Sequence, residues 1–135
     1  MEELKVGLSA QVHDIVTEQA TAIAVGSGTV RVYATPAMIA LMERASVTAL
    51  ARCLSAGQTS VGIEVNVKHL AATPVGARVQ ARAQVIAIDG RRVTFQVEAW
   101  DAREKIGEGT HTRVIVDATR FQEKVEQKLQ AEEAE

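Results

Sequence analysis

The chain has 135 residues, of which 47% are hydrophobic and 24% charged, with a formal net charge of −2. That is enough apolar material for one real core and unlike the composition of a disordered chain. The slight acidity excludes a general nucleic-acid binder, which presents a basic surface. Four aromatics (Tyr33, Phe95, Trp100 and Phe121) are too few for a base-stacking platform.

Cys53 is the only cysteine, so no disulfide framework exists. No second cysteine lies at ligand spacing and the three histidines are scattered, which argues against zinc and against cysteine catalysis. With no signal-like N-terminus and no apolar run long enough to span a bilayer, the expectation is a cytoplasmic protein with no membrane partner.

Residues 12–17 read as a strand, residues 21–25 as a short extended or turn-entry segment, Gly26-Ser27-Gly28 as a turn, and 29–33 as a second short strand. The apolar run from Pro36 to Leu54 reads as one long helix, with Thr35 as N-cap, Pro36 in the first turn and Ser55-Ala56-Gly57 closing it. The period then changes to two. Val61, Ile63, Val65 and Val67 share one face of a strand, with Gly62, Glu64, Asn66 and Lys68 opposite. After a connection over 71–76, Val79, Ala81, Ala83, Val85 and Ala87 mark one face of the next strand. Asp89-Gly90 signals a hairpin into 92–100, with Val93, Phe95, Val97 and Ala99 inward. A looser turn leads to a last strand over about 105–116. Thr119 to Gln122 matches a capping box before a C-terminal helix whose thin apolar stripe is Phe121, Val125 and Leu129. Short strands, one buried helix and four long antiparallel strands predict an α+β chain in which one sheet wraps around one helix, the hotdog arrangement, as a single domain over 1–135. Such a sheet leaves an edge that a second copy can cover.

Glu43 lies on the helix opposite the polar stripe of Arg44, Thr48 and Arg52, sharing its face with Ile39, Val47 and Leu50. A carboxylate on so apolar a helix must be paired, protonated or used, either as a structural ion pair or as part of a site. Strand parity puts His69 on the face of Val61 to Val67, looking toward the same helix. It is either a satisfied core histidine or, converging with Glu43 on one apolar cleft, half of an acid–base pair; the two can come from different subunits. Thr35 is an N-cap, or a hydroxyl at the positive end of the helix dipole that binds a polarised carbonyl or a water. Gly62 is a bulge or close-packing glycine, or a bare backbone that approaches substrate. Gly107-Glu108-Gly109 lacks a dinucleotide-loop arrangement. His111 and Arg113 read as surface residues, and Arg91, Arg92, Arg103 and Lys105 as solvated charge near the turns, with phosphate binding as the second reading.

The segments Ala34-Thr35-Pro36-Ala37-Met38-Ile39-Ala40-Leu41-Met42-Glu43, Lys68-His69-Leu70-Ala71-Ala72-Thr73-Pro74-Val75-Gly76, Asp89-Gly90-Arg91-Arg92 and Ile106-Gly107-Glu108-Gly109-Thr110-His111-Thr112-Arg113 resemble, collinearly, the hotdog-fold thioesterases of the fluoroacetyl-CoA type. The resemblance implies that Thr35, Glu43 and His69 form the catalytic constellation, that Gly62 is a backbone glycine at the site, and that Arg113 lies on the substrate side. It also implies a homodimer with active sites at the subunit interface, hydrolysing acyl-CoA without a cofactor other than the coenzyme A of the substrate. The chain departs from the fluoroacetyl-CoA enzyme before Thr35: the segment that carries lid phenylalanines there is short here, and Tyr33 is its only aromatic. The expectation is an acyl-CoA thioesterase acting on a small or medium acyl group. The alternatives are a non-catalytic acyl-CoA-binding or sensing dimer, and an acyl-thioester hydratase or dehydratase.

Overall fold

A computed structural model describes residues 1–134. In chain order the elements are β1 (Ser9–Ile15), a 3-10 turn (Glu18–Ala20), α1 (Ala22–Val25), α2 (Thr35–Ala51), β2 (Gln58–His69), β3 (Arg78–Asp89), β4 (Arg92–Asp101), β5 (Lys105–Asp117) and α3 (Ala118–Ala134). The strands form one antiparallel sheet in the order β1-β3-β4-β5-β2. α2 packs against β1, β2, β3 and β4, which gives the expected α+β hotdog architecture.

Alternation builds the core. Val79, Ala81, Ala83 and Val85 of β3 stand beside Val93, Phe95, Val97 and Ala99 of β4, all at or near zero exposure. The register sets Ala83 against Val97 and Val85 against Phe95. α2 answers with Met38, Leu41, Met42, Ala45, Ala49 and Leu50. Burying a side chain the size of Phe95 stabilises the fold by roughly 1.5–3 kcal/mol. Asp89 pairs with Arg92, so the β3–β4 hairpin closes over two residues, and Gly90 takes the positive φ of 60° that this turn needs. Gly107 lets β5 approach the helix: a Cβ there would lie 2.5 Å from the Met38 sulfur.

Four local expectations are changed or sharpened. Residues 22–25 form one helical turn, so of the extended and turn-entry readings the second holds: the Thr21 hydroxyl accepts from the Ala24 N–H at 3.2 Å and starts the turn. Residues 29–33 form no strand; the segment is held by single bridges from Tyr33 to Thr21 and from Val32 to Pro74. α3 is capped by Asp117, whose carboxylate accepts from the Arg120 N–H at 2.9 Å, two residues before the expected Thr119 box. β2 carries a bulge between Gly62 and Glu64, one of the readings open for Gly62, so the single parity expected along the strand reverses there.

That reversal positions the site. Before the bulge Gly62 pairs with Arg113; after it Val65, Val67 and His69 pair with His111, Gly109 and Gly107. Those β5 positions pair in turn with Val93, Phe95, Val97 and Ala99, so all share the helix-facing side. Ser60, Gly62, Val65, Val67 and His69 therefore face α2. Val61, expected inward, does not.

Candidate active site

Two polar groups occupy the helix-facing side. The first lies at the start of α2. Thr35 is the first helical residue, and the N-cap position falls to Ala34, which makes no side-chain cap. The Thr35 hydroxyl is not spent on the helix; it shares a 2.7 Å hydrogen bond with His69 Nδ1. His69 Nε2 is buried without a hydrogen-bonding partner among the described residues. Burial pushes the imidazole below the ordinary histidine value, and the nearby Ala71 backbone opposes this in part. The pair opens onto a cleft of about 370 Å³ walled by Ala22, Val32, Tyr33, Ala71 and Ala72. Tyr33 is itself buried, its hydroxyl donating to the Ala37 carbonyl at 3.3 Å and its pKa pushed up to about 12 by burial.

The second group surrounds Glu43, two turns further along α2. The carboxylate is not deep in the core as expected: its side chain is 39% exposed, on the flank of α2 next to β2. Val47, one turn on, is likewise exposed, whereas the sheet-facing side of the helix is Met38, Met42, Ala45 and Ala49. Glu43 Oε2 accepts from Arg113 Nη1 at 3.3 Å and lies 3.7 Å from His111 Nε2. Arg113 also donates from Nε to the Ser60 hydroxyl (2.8 Å), from Nη2 to the Ser60 carbonyl (3.1 Å) and from Nη1 to His111 Nε2 (3.1 Å). Burial pushes both His111 and Arg113 below their usual values, and Glu43 opposes the shift at each.

Gly62 sits beneath this group. A Cβ on it would lie 2.9 Å from Glu43 Oε2, 3.0 Å from His111 Cε1 and 3.2 Å from Arg113 Nη1. A glycine is needed there for space, since its φ is not positive.

Within one chain, then, Thr35 meets His69, while Glu43 pairs with Arg113 and His111 rather than with His69. Eight residues of helix separate Thr35 from Glu43, about 12 Å along the axis. His111 and Arg113, read from the sequence as surface residues, are 1% and 7% exposed. β5 carries apolar residues on both parities (Ile115 on one; Ile106, Val114 and Val116 on the other), so alternation could not orient it. Ser60 went unread for a related reason: it precedes the bulge and shares the parity of Gly62. Among the described residues no group of His, Cys, Asp and Glu side chains is arranged to hold a metal ion, and no helix is long and apolar enough to cross a membrane.

The fold has close counterparts among solved structures. The fluoroacetyl-CoA thioesterase FlK superposes with a TM-score of 0.89 at 34% identity, over 94% of this chain and 98% of that one. A Thermus thermophilus member of the thioesterase superfamily superposes with a TM-score of 0.91 at 28% identity, over the full length of both. The chain is thus a hotdog-fold thioester hydrolase. The model of the FlK family, described as fluoroacetyl-CoA-specific thioesterase, matches residues 16–119. The fluoroacetyl-CoA thioesterase of Streptantibioticus cattleyicolor is 42% identical over 100 residues, which are 74% of this chain and 72% of that protein. This chain belongs to the FlK family.

Proposed function

We propose that this single-domain chain hydrolyses the thioester of a small or medium acyl-CoA in the cytoplasm, as a homodimer, with Thr35, Glu43 and His69 as its catalytic residues. The observation that carries the reading is the 2.7 Å contact between Thr35 Oγ1 and His69 Nδ1 at the mouth of a cleft beside the helix N-terminus. A hydroxyl spared from capping and an imidazole kept uncharged by burial have no structural task at that place.

The thioester carbonyl sits at the α2 N-terminus, where unpaired backbone N–H groups and the helix dipole favour developing negative charge. The Thr35 hydroxyl donates to the oxyanion, assisted by a backbone N–H such as that of Gly62. Glu43 attacks the carbonyl or activates a water. His69 orients that water and passes a proton to the departing thiolate. No cofactor is needed beyond the coenzyme A of the substrate itself.

The distance between Thr35 and Glu43 gives the dimer its part. One helix cannot bring both to one carbonyl, but an antiparallel neighbour can, setting Thr35 and His69 of one protomer against Glu43 of the other. The free edge supports that association: Ile63 and Val65 on β2 are 48% and 40% exposed, and Val47 beside them 43%. The alanine-walled cleft has room for more than a two-carbon acyl group, and Tyr33, tied to the Ala37 carbonyl, does not cover it.

Free-thiol release from a panel of acyl-CoAs, fluoroacetyl-CoA included, tests the reading. Turnover that falls by about 10³ or more in a folded Glu43→Gln variant is expected. Acyl-CoA binding with no thiol released would hand the protein to one of the alternatives, a binding module or carbon–carbon double-bond chemistry.

A further inference from the structure

Every nitrogen of the Arg113 guanidinium already has an acceptor within the chain. Four of its five N–H groups go to Glu43 Oε2, His111 Nε2, the Ser60 hydroxyl and the Ser60 carbonyl. The bond to His111 is the informative one, because an arginine can donate to an imidazole only where the nitrogen is unprotonated.

The wiring of His111 enforces that state. Its Nδ1 lies 2.8 Å from the Glu64 carbonyl oxygen, which only accepts, so Nδ1 carries the proton. Nε2 is left as a bare lone pair toward Arg113 Nη1 at 3.1 Å. The same Nη1 donates its other proton to Glu43 at 3.3 Å, and so stands between imidazole and carboxylate. The charged groups facing His111 are Arg113 from β5 and Glu43 from α2; β2 presents the Glu64 carbonyl and β4 sets Phe95 opposite.

We propose that His111 is a positioning residue: as a neutral Nδ1–H tautomer it holds Arg113 in the one orientation that aims the Glu43 carboxylate. The Glu64 carbonyl, next to the bulge, sets the tautomer. Protonation of Nε2 would remove the acceptor and put a second cation against the guanidinium, releasing Glu43 from its bearing. Burial and the Arg113 charge oppose that protonation. This inference rests on Glu43 being the catalytic carboxylate.

Imidazole ¹⁵N NMR of the wild-type protein tests the wiring without any activity. His111 should show a protonated Nδ1 and a bare Nε2 near neutral pH; an Nε2–H tautomer or a charged ring overturns the proposal. Kinetics test the consequence. His111→Leu should lower kcat by about 10–100-fold, as a small misplacement of a reacting group does, with KM moved less than about threefold. His111→Gln, whose amide can donate to Glu64 and accept from Arg113, should recover most of that kcat and hold it to lower pH than wild type. A loss carried by KM, an equal kcat loss in both variants, or an unchanged acid limb in His111→Gln overturns the proposal, and the last decides if the leucine variant does not fold. If wild type releases thiol from no acyl-CoA, the hydrolase reading fails while the tautomer result still stands or falls by itself.

Discussion

Gly62 and His69 lie seven residues apart on β2, an odd separation that should send them to opposite faces, yet both face α2. One extra residue at the bulge reverses the parity between them. Gly62 thereby comes under the Glu43 carboxylate while His69 reaches Thr35. A strand without the bulge would present one of these positions to the helix and the other to solvent.

That geometry makes Gly62→Ala a sensitive probe. The added methyl would stand 2.9 Å from Glu43 Oε2, and the movable end of that side chain would yield before the backbone does. The expected result is a folded protein with thermal midpoint close to wild type and kcat down by about tenfold or more. A variant with unchanged kcat would mean that the orientation of Glu43 does not matter to turnover.

The Thr35–His69 pair is expected to act as a unit. Thr35→Val removes the hydroxyl at nearly constant volume and should cost about 10²–10³ in kcat, the loss seen when one oxyanion donor is deleted. Thr35→Ser should retain most activity. Combining Thr35→Val with His69→Asn should cost much less than the sum of the two, because residues sharing a task are not additive. Full additivity would show that the 2.7 Å contact has no part in turnover.

Stability should depend on pH through two imidazoles, the half-buried His69 and the buried His111. Burial holds His69 and His111 below the ordinary histidine value in the folded chain. Unfolding returns them to about 6.5, so below that pH the unfolded chain binds more protons. Their stabilisation is complete above about pH 6.5 and drains away as pH falls through their folded-state values. The carboxylates held low by partners, Glu18, Asp101 and Glu108, add their loss only at more acid pH. Urea midpoints are expected to decline between pH 7 and 5, and less steeply in His111→Gln. Equal midpoints across that interval would show that the folded protein accommodates both protons.

Much of the fold was legible because it rests on strands with one buried face. β3 and β4 alternate cleanly, and Asp89-Gly90 closes them as its turn chemistry requires. The same rule failed on β2 and β5. A bulge is invisible to a period-two reading, which is why Val61 was expected inward, and β5 is apolar on both faces. α2 was legible as a helix but not in its rotation, since its apolar residues run nearly all round; Glu43 therefore looked buried in the core when it lies on the half-open flank beside β2. Of the site, Thr35, Glu43, His69 and Gly62 were all in view. Their grouping was not, because it depends on where β2 bulges and on how far eight residues of helix reach.

That reach leads to the most discriminating experiment. If each site takes Thr35 and His69 from one protomer and Glu43 from its neighbour, two dead variants can repair each other. Glu43→Gln keeps an intact Thr35–His69 pair, and His69→Asn keeps an intact Glu43. When equal amounts are mixed and allowed to exchange subunits, half of the dimers are mixed, and each mixed dimer holds one complete site and one doubly damaged one. Activity should rise from near zero to about a quarter of wild type, the share expected for a two-fold symmetric dimer. Glu43→Gln mixed with a chain that carries both substitutions should recover nothing, because no complete site can form. A site contained within a single chain predicts no recovery in either mixture, and would require α2 or β2 to move far enough to bring His69 to its own Glu43.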